Sequence, residues 1–63
     1  MKINVSKMER ERKALGLSKS ELSRKVGMFP ANYSYILKQE SSRLDTITLI
    51  AKALDIDPKD LLI

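Results

Sequence analysis

Sixty-three residues make one domain, because two would each be too short to enclose a core. Cys and His are both absent, which excludes zinc fingers, haem attachment, thiol catalysis and any His general base, and argues against a stand-alone enzyme. The net charge is +4 at pH 7, and a hydrophobic fraction of 43% is too high for a disordered tail.

The charge is unevenly divided. Residues 1–39 hold nine Lys and Arg against three acids, whereas residues 40–63 hold three against five. A basic N-terminal two-thirds fits a nucleic-acid binder and fits a plain solvated surface equally well. No apolar run approaches the roughly 18 residues of a membrane span. The opening MKINVSKMERERK has no apolar signal-peptide stretch. The expectation is a cytoplasmic domain with no membrane partner.

Gly16, Gly27, Pro30, Pro58 and the polar run Gln39-Glu40-Ser41-Ser42-Arg43 divide the chain into five segments, each with helical apolar spacing. The first, about 4–15, places Val5, Met8, Arg12 and Leu15 on one stripe and meets Gly16 at its end. Residues 1–4 carry no readable signal. The second, about 19–26, opens on Ser18 with Glu21 three residues later, the capping-box pattern, and buries Leu22 and Val26 before Gly27. The third, about 30–38, starts at Pro30 and turns Tyr33, Ile36 and Leu37 inward. The fourth, about 44–54, carries Leu44, Ile47, Ile50, Ala51 and Leu54 on one face. The fifth, about 58–62, begins Asp57-Pro58, has Asp60 near its positive end and closes with Leu61 and Leu62. The predicted fold is all-α, five short helices around one core.

The second and third segments are joined by three or four residues around Gly27. That spacing suits a helix-turn-helix, in which the second helix enters the major groove, with Leu22, Val26, Met28, Tyr33 and Ile36 inside the joint. A plain αα-hairpin produces the same pattern.

The stretch from Leu17 to Leu62 resembles the lambda-repressor-like helix-turn-helix family, which includes phage Cro and repressor domains, restriction-modification controllers and many antitoxins. The likeness rests on Leu17-Ser18-Lys19-Ser20-Glu21-Leu22-Ser23-Arg24-Lys25-Val26-Gly27, Ile36, Leu44-Asp45-Thr46-Ile47, Ile50-Ala51-Lys52-Ala53-Leu54-Asp55-Ile56 and Leu61-Leu62. Met8, Arg12 and Gly16 extend it to the first segment. The resemblance implies a compact five-helix DNA-binding domain over residues 1–63, with the helix-turn-helix formed by helices two and three. It also implies roles for single positions. Ser18 and Lys19 match positions that hold the DNA backbone, and Lys19 one that also reaches a base. Helix N-termini bind phosphate on free N–H groups in any case. Pro30, Ala31, Ser34 and Tyr35 match base-reading positions, with Asn32 at the flank. Lys38, Gln39, Ser41, Ser42 and Arg43 match the phosphate-holding loop.

There are departures. Members often carry Gln, Arg, Lys or Ser where this chain reads with Pro, Ala, Ser and Tyr, so no fork is available for bidentate recognition of guanine or adenine. Ala31 against a thymine methyl, hydroxyls of Ser34 and Tyr35, Asn32 and Lys19 are the remaining base contacts, with more reliance on phosphates and DNA shape. Phe29 replaces the usual capping Ser or Thr and is expected to pack at the turn with one cap bond missing. Tyr35 faces outward, toward DNA. Arg12 lacks the family's acidic partner, since Leu37 occupies that place; pairing elsewhere, snorkelling and phosphate contact stay open. Glu9, Glu11, Glu21 and the aspartates at 55–60 read as caps and solvated faces with no metal-ligand spacing.

The expected function is a sequence-specific, repressor-like regulator of transcription that binds double-stranded DNA as a homodimer on two half-sites. It is expected to need no cofactor, metal or small-molecule ligand and to perform no catalysis. The dimer surface is placed on Ile56, Leu61, Leu62 and Ile63. The competing reading is a protein-interaction module, such as an antitoxin or coactivator-like domain.

Overall fold

The computed structural model describes residues 1–63. Four α-helices, α1 (Val5–Ala14), α2 (Lys19–Val26), α3 (Pro30–Gln39) and α4 (Leu44–Leu54), precede a single 3-10 turn at Pro58–Leu61. The first four segments are helices with ends within one residue of those expected. The fifth is not an α-helix. At four residues it is too short for a run of i→i+4 bonds, and the Asp57 carboxylate accepts from Lys59 N–H at 2.9 Å to hold a tighter turn.

Local chemistry sets most of the ends. Asn4 caps α1 by accepting from Lys7 N–H at 3.1 Å. Ser18 and Glu21 form the full capping box on α2: Glu21 N–H donates to Ser18 Oγ at 3.1 Å and Ser18 N–H to Glu21 Oε1 at 2.9 Å. Gly27, at φ 91°, ends α2 in the left-handed region and turns the chain into α3. α3 and α4 end differently, on Glu40 at φ 56° and Asp55 at φ 59°, left-handed positions that carry a side chain. Neither Phe29 nor Arg43 supplies a side-chain cap to the helix it precedes.

Nine residues form the core: Ile3, Met8, Leu22, Tyr33, Ile47, Ile50, Ala51, Leu54 and Leu61. α4 contributes four of them, and α2 and the 3-10 turn pack against it. Val26, Met28, Ile36 and Leu37 pack around the edge and are half-buried. Two stripe residues fall outside the core. Leu15 follows the last turn of α1, and Leu44 begins α4 at the edge of its buried face; both are about half exposed.

One further expectation is corrected. Leu61 is wholly buried. The 3-10 turn points it under α4, so it is not part of any outer surface on which two copies could meet. Residues 1–4, silent as sequence, form an extended piece threaded between the loop after α3 and the C-terminal residues. Ile3 N–H donates to Glu40 O at 2.9 Å and Asn4 N–H to Leu61 O at 2.7 Å, while Ser42 N–H donates to Met1 O at 2.9 Å. Isolated antiparallel bridges join Lys2 to Ser41 and Ile3 to Leu62, and the Ile3 side chain has no exposed surface. Ile3→Ala is therefore expected to lower unfolding free energy by about 2–4 kcal/mol, the range for emptying a buried aliphatic site. Urea denaturation measures it.

Candidate nucleic-acid interface

The outward side of α3 follows from what its inner side is tied to. Tyr33 is fully buried, and its phenol donates to Glu9 Oε2 of α1 at 2.9 Å. The same carboxylate accepts from Arg12 Nε at 2.7 Å and Nη2 at 3.3 Å. Arg12 Nη1 donates onward to Leu17 O at 2.6 Å, at the entry to α2. One carboxylate and one guanidinium thus connect α1, the turn before α2 and the inner side of α3. Of the three outcomes open for Arg12, it is paired, with Glu9 one turn earlier in its own helix. Glu9 is accordingly a half-buried, paired residue and not part of a freely solvated face. The sequence signal for it is an acid three residues ahead of an arginine on an apolar stripe.

The titration of these groups reflects their contacts. Glu9 is held below the ordinary carboxylate value of 4.5, chiefly by hydrogen bonding from Arg12, with Tyr33 and the charge of Lys19 adding to it. Arg12 is pushed higher by Glu9, and burial, then Glu9, push the Tyr33 phenol up. Glu21 is also lowered, by its bond from the Ser18 backbone N–H. Lys19, the first residue of α2, is an exposed cation at the start of that helix.

With Tyr33 fixed inward, Pro30, Ala31, Asn32, Ser34 and Tyr35 are all exposed. Ala31, Tyr35 and Lys38 follow one another at helical spacing along the outermost line of α3. Of the expected phosphate-holding residues, Ser18, Lys19, Lys38, Gln39 and Arg43 are exposed, and Ser41 and Ser42 are half-buried. Asn32 and Tyr35 share a surface notch with Ser42, Arg43 and Thr46, floored by Met28 and Ile36. Thr46 was not among the expected site residues. It belongs to α4, and only the approach of α4's first turn to α3 brings it there. Arg43 stands in solvent, with its guanidinium a loose 3.7 Å from Asp45, and can swing toward an anion. The loop that carries it is pinned by the extended N-terminal piece through Glu40 and Ser42.

Two local findings refine the roles. Both Ser18 Oγ and Ser18 N–H are occupied by the capping box, so an anion at this helix end would meet the N–H groups that follow Ser18. Phe29 does not pack at the turn. It is 77% exposed, because the turn at Gly27 and the extended backbone of Phe29 carry its ring past the edge of the core.

The Glu9 node gives a pH dependence with a definite sign. Its folded pKa lies below the unfolded one, so its contribution is complete above about pH 4.5 and is lost as pH falls through the lowered value. Glu21 acts in the same direction. Thermal unfolding across pH 2–7 is expected to show a steep acid limb in the parent chain. Glu9→Gln should flatten that limb and cost about 3 kcal/mol at neutral pH, the low end for breaking a buried pair, because it leaves a buried guanidinium without its partly exposed counter-charge. Tyr33→Phe should cost less, about 1.5 kcal/mol, the low end for a hydrogen bond to a charged group.

Compared with known families, residues 3–63 match the sequence model of the Cro/C1-type helix-turn-helix DNA-binding domain. No curated protein and no solved structure matches the chain. The match covers nearly the whole sequence, and the chain belongs to that family: it is a DNA-binding helix-turn-helix domain, with α2 and α3 as the two helices of the motif.

Proposed function

From this membership we propose that the chain is a sequence-specific regulator of transcription, repressor-like, that binds double-stranded DNA as a homodimer with α3 in the major groove. One observation carries the reading. The notch between α3 and the start of α4 brings together expected base-facing residues, Asn32 and Tyr35, and expected backbone-holding ones, Ser42 and Arg43. A helix lying in the groove needs this arrangement, since its side chains reach base edges while its flanks meet the phosphate ridges.

In this reading Lys19, Pro30, Ala31, Asn32, Ser34 and Tyr35 face the bases. Lys38, Gln39, Ser41, Ser42 and Arg43 hold one strand's phosphates, and Lys19 with the backbone beside Ser18 holds the other. The molecule measures 24 × 21 × 18 Å, small enough for two copies to occupy half-sites about 34 Å apart. With Leu61 enclosed, the C-terminal contact between copies comes down to Ile56, Leu62 and Ile63. A second apolar face lies on α4, where Leu44 and Leu49 are each about half exposed beside Asp45 and Thr48. That depression is also what favours the runner-up reading, a domain whose main partner is another protein.

Duplexes selected from a random pool, followed by salt titration, test the reading. A regulator is expected to yield a two-fold-related pair of half-sites and a log–log salt slope of about −0.9 per neutralised phosphate. Lys19→Ala and Arg43→Ala should weaken all duplexes and shallow the slope by about 1 each, whereas Tyr35→Ala should mainly change which duplexes are preferred. Weak, sequence-blind, salt-insensitive retention would support the interaction module instead. Sedimentation of Ile63→Asp beside Leu49→Asp locates the contact between copies: the variant that becomes monomeric carries the changed face.

A further inference from the structure

The leading tip of α3 is built from residues that cannot hydrogen-bond through their side chains: Phe29, Pro30 and Ala31. Phe29 leaves the helix without a side-chain cap and places its ring in water, 77% exposed. A Ser or Asp there would serve the isolated fold better on both counts. Among exposed large apolar residues only Ile63, at the last position, is more exposed. Tyr35, 56% exposed, continues the surface one helical turn beyond Ala31. No Arg or Gln interrupts it. The one amide, Asn32, lies to the side, in the notch with Ser42 and Arg43. The end of a reading helix that meets base edges is its N-terminal end, so the first surface this domain would bring to the groove floor is apolar and aromatic.

On that floor nearly every group is a hydrogen-bond donor or acceptor. The apolar exception is the methyl at C5 of a pyrimidine, present on thymine and on 5-methylcytosine. We infer that Phe29, supported by Ala31 and Tyr35, is a specificity-determining residue that reads pyrimidine 5-methyl groups in the major groove. The inference rests on the proposal that α3 docks there.

The experiment uses a duplex selected from a random pool and replaces each thymine in turn by uracil, which keeps the pairing and removes only the methyl. At one or two positions per half-site the parent chain is expected to lose about fourfold in affinity, the equivalent of one buried methyl group. Phe29→Ala should bind thymine and uracil duplexes equally while keeping the parent's circular dichroism and salt slope. Phe29→Leu should retain part of the preference. Cytosine and 5-methylcytosine placed at the sensitive position separate the two sources of the methyl. Recovery by 5-methylcytosine alone means the methyl is read on either base, and no recovery confines the reading to thymine. Equal binding of every uracil duplex by the parent, with the steep salt dependence intact, overturns the inference and leaves the proposed function standing. Thymine preference that survives in Phe29→Ala removes the role from Phe29. Absence of any salt-dependent duplex binding removes the proposed function, and the inference with it.

Discussion

The direction in which α3 faces depends on one carboxylate. Glu9 accepts from the Arg12 guanidinium and the Tyr33 phenol at once, and charge-assisted bonds of this kind have narrow geometric tolerance. Tyr33 sits in the middle of α3, so fixing its hydroxyl fixes the rotation of that helix about its own axis. Ala31 and Tyr35, two positions to either side, then have nowhere to point but out. Arg12 extends the same restraint to Leu17, and so to the start of α2. In a domain of 63 residues, whose core is small, this polar anchor behind α3 adds to the restraint that packing of the Tyr33 ring supplies.

Much of the architecture could be read from the residues because it is encoded locally. Ser18 with Glu21, Gly27, Pro30 and the apolar period of α4 act within one or two turns, and the chain folds there as they dictate. What could not be read depends on partners distant in sequence. Ile3 looks like an isolated aliphatic in a polar leader until residues 40–42 and 61–62 close around it. Leu61 and Leu62 are adjacent and chemically identical, yet a 3-10 turn buries one fully and the other in part. Glu9 reads as a surface acid because its second partner, Tyr33, is two helices away.

Phe29 is the opposite case. Its position as a cap was legible, as was the missing bond, but its exposure was not, because the reasonable expectation is that an aromatic ring finds a core. Here the turn geometry denies it one. In the proposed complex the basic and apolar parts of the surface divide the work of binding: cations such as Lys19, Lys38 and Arg43 would supply attraction that is blind to sequence, and the tip of α3 would supply discrimination. Of the five acids in residues 40–63, Asp55, Asp57 and Asp60 lie beyond α4 and around the 3-10 turn, away from the residues proposed for the DNA surface, whereas Glu40 and Asp45 flank Arg43.

The extended piece at residues 1–4 also bears on how the molecule assembles. Its bonds to Glu40, Ser42 and Leu61 join parts of the chain that are among the most widely separated along the sequence, and such contacts must wait until the intervening chain has been ordered. Closing so long a loop costs more chain entropy than forming the local helical turns does, and the buried Ile3 side chain offsets part of that cost. The loop bearing Arg43 is therefore tied, through Glu40 and Ser42, to a seam at the opposite end of the chain, and its shape depends on that seam being closed.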